Sequence, residues 1–104
     1  MSEELKILEN RENGSVKISI TGEVDIYSSQ LLKERLYNIV ETEKQDIKID
    51  CEGMNYIDST GLGVLVGALK KAKESGNLIY ITNLKENIKK LFLITGLDKV
   101  FIIE

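Results

Sequence analysis

The chain has 104 residues, 42% of them hydrophobic and 30% charged, with a formal net charge of -3, no histidine and one cysteine. A chain of this length makes one domain, its acidic balance argues against general nucleic-acid binding, and the missing histidines argue against a zinc site or histidine-assisted nucleophilic catalysis. No run approaches the roughly 18 apolar residues of a membrane span, and the start Met1-Ser2-Glu3-Glu4-Leu5-Lys6 has neither the basic opening nor the apolar core of a secretory signal, so a cytoplasmic location is expected.

Leu5 to Glu9 reads as a first strand, and Asn13-Gly14 is a hairpin signal ahead of a second strand, Ser15 to Thr21, with Val16, Ile18 and Ile20 inward. A helix over Ser28 to Glu41 places Leu32, Leu36, Ile39 and Val40 on one side. In the strand Asp46 to Glu52 the alternation Ile47, Ile49, Cys51 makes the lone cysteine a small core residue. A second helix follows and ends near Gly76, a left-handed cap. Leu78 to Thr82 is the next strand, and Asn83 and Glu86 have capping-box spacing for a helix through Leu93 with Gly96 as terminator. Lys99 to Ile103 closes the chain as a strand.

Strands alternating with helices imply parallel strands joined by crossovers, opened here by an antiparallel hairpin. The expected fold is α/β, a mixed sheet of about five strands. Polar residues at alternate positions, Lys17, Ser19, Thr21 and Lys48, Asp50, Glu52, leave one sheet face wet and put the helices mainly on the other. The lysines at 70, 71, 73 and at 85, 89, 90 are interleaved with acids or helix spacing and read as solvated faces.

The functional signal is the run Met54-Asn55-Tyr56-Ile57-Asp58-Ser59-Thr60-Gly61-Leu62-Gly63, where a strand becomes a helix. The first N–H groups of a helix lack intrahelical partners and accommodate an anion. Asp58, Ser59 and Thr60 are all favoured N-cap types, and one of them fills that place. At 100° per residue Leu62, Leu65, Val66, Leu69 and Ala72 share the core face of this helix, leaving Thr60, Gly63, Val64, Gly67 and Lys71 opposite. A glycine inside a helix costs roughly 1 kcal/mol relative to alanine, so two glycines and a valine turned to solvent predict a surface where a partner comes close. The glycines miss the dinucleotide spacing by one position, and Asp58-Ser59-Thr60-Gly61 lacks the flanking glycines of a hydrolase elbow. A catalytic role is not expected.

The segment Tyr56 to Gly67, Y-I-D-S-T-G-L-G-V-L-V-G, resembles the phosphorylation segment of the bacterial anti-sigma factor antagonists, which are single STAS domains. Gly22-Glu23-Val24-Asp25 is similar to that family's first strand-to-helix junction, and Leu91 to Val100 to its C-terminal helix and last strand, so the likeness covers nearly the whole chain. It implies that Ser59 is phosphorylated by a partner anti-sigma factor that is also a serine kinase, with Asp58, Thr60 and Gly61 around the acceptor and Asp25 in the neighbouring loop. Gly63, Val64, Gly67 and Lys71 would meet the partner. No cofactor is implied for the chain itself, since ATP and magnesium belong to the kinase, and a serine phosphatase would reset the switch. The alternative within the same resemblance is a STAS scaffold or regulatory subunit of a larger signalling or transporter complex; the intact Asp58-Ser59-Thr60-Gly61 segment favours the kinase substrate.

Overall fold

Period-two burial in four segments builds one sheet, and the computed structural model describes residues 3–104 of it and its helices; Met1 and Ser2, which open the N-terminal run read above, lie outside the described residues. The elements are β1 (Lys6–Glu12), β2 (Ser15–Val24), α1 (Ser29–Glu43), β3 (Asp46–Ile57), α2 (Ser59–Glu74), β4 (Ile79–Thr82), α3 (Glu86–Ile94), a 3-10 turn (Leu97–Lys99) and β5 (Ile102–Ile103). The sheet order is β1-β2-β3-β4-β5. Only β1 and β2, joined through Asn13-Gly14, are antiparallel; the other pairs are parallel. Each crossover steps one strand in the same direction, and a right-handed connection then puts every crossover helix on the same face. The expected mixed α/β sheet is the one observed.

Register explains the layers. Val16, Ile47 and Ile79 lie side by side across the sheet, as do Ile18, Ile49 and Ile81, and all six are buried. On the other face Lys17, Lys48 and Tyr80 form a row, followed by Ser19, Asp50 and Thr82, and none of these is buried. Leu32, Leu36, Ile39 and Val40 of α1, Leu65, Ala68 and Leu69 of α2, and Ile88 and Phe92 of α3 join the strand residues in one core. Cys51 is fully buried in it, and burial pushes its thiol up to about 12. The edge strand β1 is fastened to α1 by Arg35 to Glu9 at 2.8 Å and Arg11 to Glu43 at 2.9 Å.

Several boundaries differ from the sequence reading. The second and third strands run to Val24 and Ile57, beyond Thr21 and Glu52, because they keep pairing through two register shifts as far as Val24 beside Ile57. Across those irregularities alternation breaks, and Cys51 and Met54 both point inward. Asn83 and Glu86 make no capping box: the residue before α3 is Lys85, while Asn83 takes a positive φ of 60° and donates its amide to Asp50 at 3.0 Å. The last strand is short, since Lys99 belongs to the 3-10 turn after Gly96.

Candidate functional site

The extension of β2 beside β3 carries their C-terminal loops to one place, where Asp58 N–H donates to the Val24 carbonyl at 3.1 Å. In the first loop the Asp25 carboxylate accepts from the N–H groups of Tyr27 and Ser28, both at 2.9 Å. The Ser28 hydroxyl accepts from Asp25 N–H at 3.0 Å and donates to the Glu23 carbonyl at 2.8 Å. Those donors, the Ser28 N–H foremost, hold the Asp25 carboxyl below the usual carboxylate range although the nearby Asp58 charge opposes them.

In the second loop Asp58 has an extended backbone, φ -107° and ψ -172°, and is the N-cap of α2. One oxygen of its carboxylate accepts from Thr60 N–H at 3.0 Å, from Gly61 N–H at 3.2 Å and from the Thr60 hydroxyl. The Thr60 hydroxyl is the main reason its carboxyl is held low, with further help from the backbone N–H of Ile26 across the loop boundary. Of the three cap-competent residues, then, Asp58 caps and Thr60 is bound to it. Ser59, the first residue of α2, is exposed, and among the described residues nothing hydrogen-bonds its hydroxyl. Gly61 is buried, and a Cβ there would lie 2.7 Å from carbons of both Ile57 and Val24. Its lack of a side chain lets the helix start against the strand ends.

Of the expected docking face only Gly63 stands open, with nothing within 4 Å of a Cβ placed on it. Val64 is only 8% exposed and belongs to the core. Gly67 faces α1, for a Cβ there would meet the Tyr37 hydroxyl at 1.7 Å. Lys71 is engaged in the same helix contact, pairing with Glu41 at 2.8 Å and lying 5.3 Å from the centre of the Tyr37 ring. The sequence reading gave α2 one buried side, but it packs against both the sheet and the neighbouring α1 and buries a broader arc, Gly61, Leu62, Val64, Leu65, Ala68, Leu69 and Ala72. Gly67 admits a ring of the same molecule rather than a partner.

Next to the junction, exposed apolar side chains stand instead on the loop before α1, where Ile26 is 65% and Tyr27 91% exposed, with Tyr56 half exposed at the end of β3. The sequence reading missed these residues. Their signal was present as two large apolar side chains directly after a loop-capping aspartate, in a segment too short and irregular to bury them. Two surface depressions of about 290 Å³, one against α3 and β5 and one between the C-terminal ends of α1 and α2, include no residue of the Ser59 junction. The junction is part of the open surface and belongs to neither depression. Among the described residues no group of three or more histidine, cysteine, aspartate or glutamate side chains is placed to hold a metal ion, and no helix is long and apolar enough to cross a membrane.

A family model described as STAS domain matches residues 7–104. An anti-sigma-B factor antagonist of Bacillus subtilis is 38% identical over 90 residues, covering 86% of this chain and 82% of that protein. One of Staphylococcus aureus is 37% identical over 81 residues, covering 78% and 75%. The fold is similar to the crystal structure of an anti-sigma factor antagonist from Mycobacterium paratuberculosis, with a TM-score of 0.82 at 24% identity over 96% of this chain and 85% of that one.

Proposed function

The chain belongs to the STAS domain family, and on that premise we propose that it is an anti-sigma factor antagonist switched off by phosphorylation of Ser59. The observation that carries the switch is the free, exposed Ser59 hydroxyl at the first position of α2, beside a cap that has already engaged Thr60. Unphosphorylated, the junction offers a neutral hydroxyl, the open Gly63 and the apolar Ile26 and Tyr27 to an anti-sigma factor, which then releases its sigma factor. Apolar and aromatic side chains of this kind are the usual anchors of a protein interface.

The same anti-sigma factor is the serine kinase. It supplies ATP and magnesium, the γ-phosphoryl group passes to Ser59 Oγ, the hydroxyl proton goes to the kinase's base and ADP leaves. This chain is substrate, not enzyme, and holds no cofactor of its own. The product carries about 1.5 to 2 added negative charges next to Asp25 and Asp58. Like-charge crowding and the cost of desolvating the phosphate inside an interface dissociate the complex. A serine phosphatase restores the neutral form, and the cycle runs in the cytoplasm. The alternative of a STAS scaffold or transporter subunit is less well supported, because relatives aligned over most of both lengths are named as antagonists.

The test is to incubate the protein with magnesium ATP and each anti-sigma kinase of its source genome, map the phosphate by mass spectrometry, and measure binding before and after by calorimetry. Phosphate on Ser59, lost affinity in the phosphorylated form, and a Ser59→Ala variant that binds and is never switched off are expected. Phosphate placed elsewhere, or equal affinity of the two forms, refutes the reading.

A further inference from the structure

Two adjacent residues at the start of α2 carry hydroxyls, and their hydrogen bonding differs. The Thr60 hydroxyl donates its proton to the Asp58 carboxylate, whose same oxygen also receives the N–H groups of Thr60 and Gly61, whereas the Ser59 hydroxyl is exposed with no such partner. We infer that Asp58 is a positioning residue that selects which of the two adjacent hydroxyls accepts the phosphoryl group.

The inference rests on the kinase-substrate reading above and adds to it the source of acceptor choice. In phosphoryl transfer the attacking oxygen must turn a lone pair in line with the leaving group and release its proton to the kinase's base. Thr60 Oγ1 cannot turn away without breaking a hydrogen bond to a charged group and loosening the cap. Asp58 does not act as the base that would activate Thr60: one oxygen already takes three donors, so its carboxyl is held in the ionised, weakly basic form. Ser59 Oγ bears none of these constraints and can rotate freely. Both residues are exposed at the start of α2, and the cap withholds the hydroxyl of one of them.

The experiment compares wild type with Asp58→Ala, Asp58→Asn, Ser59→Ala and the double variant Asp58→Ala with Ser59→Ala, each treated with magnesium ATP and the kinase that modifies the wild type. The readout is the ratio of Thr60 to Ser59 phosphopeptides, which a general loss of helix stability would not shift toward threonine; thermal transitions confirm folding. Removing one hydrogen bond to a charged group is expected to raise the ratio by about tenfold or more in Asp58→Ala. Asparagine keeps an accepting oxygen and is a good N-cap, so Asp58→Asn is expected to restore the preference for Ser59. The double variant is expected to take phosphate on Thr60, and Ser59→Ala alone to take none. If Asp58→Ala merely slows Ser59 modification, with Thr60 unmodified there and in the double variant, the inference is overturned while the proposed function stands. If no kinase modifies Ser59 of the wild type, the proposed function fails and takes this inference with it.

Discussion

Replacing Gly67 by alanine sets two effects of opposite sign against each other. Alanine is favoured over glycine inside a helix by about 1 kcal/mol, and were this residue turned to solvent the substitution would simply stabilise the protein by that amount. In the fold, however, the added Cβ falls 1.7 Å from the Tyr37 hydroxyl oxygen and 2.8 Å from the ring carbon bearing it. The ring must move. Because the clash is with the far end of one side chain, the tyrosine swings and the backbone stays, which keeps the cost within the range of about 1–3 kcal/mol found for overpacking. Part of that cost is the contact between Lys71 and the ring face, worth about 0.5–1 kcal/mol at an exposed site. The expected net result is a loss of about 1 kcal/mol, or about 4–8 °C in melting temperature for a domain of this size. In a Tyr37→Ala background the groove is empty, so Gly67→Ala is expected to stabilise by about 1 kcal/mol. The coupling between the two sites is then about 2 kcal/mol. Urea unfolding of the four proteins measures it. Equal stabilisation by Gly67→Ala in both backgrounds would refute the placement of Gly67 against α1.

Binding and stability should separate at the exposed junction. Ile26→Ser or Tyr27→Ala is expected to weaken anti-sigma factor binding by about tenfold or more, as removal of an interface anchor does, with an unchanged thermal transition because neither side chain is in the core; unaltered affinity in calorimetry would remove this loop from the interface. Gly63→Gln adds a side chain where nothing lies within 4 Å and is expected to fold normally yet obstruct the partner. Asp25 and Asp58 both have lowered folded-state values, so the order they give the junction is present above the ordinary carboxylate value of 3.8 and is lost as pH falls through the lower folded values. Carboxyl carbon NMR is expected to show both titrating below that value, and midpoints at or above it would contradict the hydrogen-bond geometry. Cys51, fully buried with its thiol pushed up to about 12, is expected to react with an aromatic disulfide reagent only through opening of the fold; rapid labelling under native conditions would show that β3 is not covered.

Periodicity along the chain was enough to determine the order of strands and helices, the mixed sheet and its wet face, because the central strands repeat their burial every second residue until the register shifts toward their C-terminal ends. Val16, Ile18 and Ile20 announce their face locally, and so do Ile47, Ile49 and Cys51. The Asp58-Ser59-Thr60-Gly61 junction was equally legible, since cap chemistry depends on residues next to one another. What the sequence left open was the choice among three residues of similar capping preference, which the extended backbone of Asp58 decides once β3 is drawn out beside β2. Nor could α2 by itself reveal that it has two buried sides: its strongest stripe reports the sheet, while the contact with α1 depends on Tyr37, thirty residues away. A glycine carries no side chain to say what fills the space beside it. Gly67 reads alike whether solvent, a partner or a tyrosine of the same chain lies over it, and only the packing of α1 across α2 decides between them.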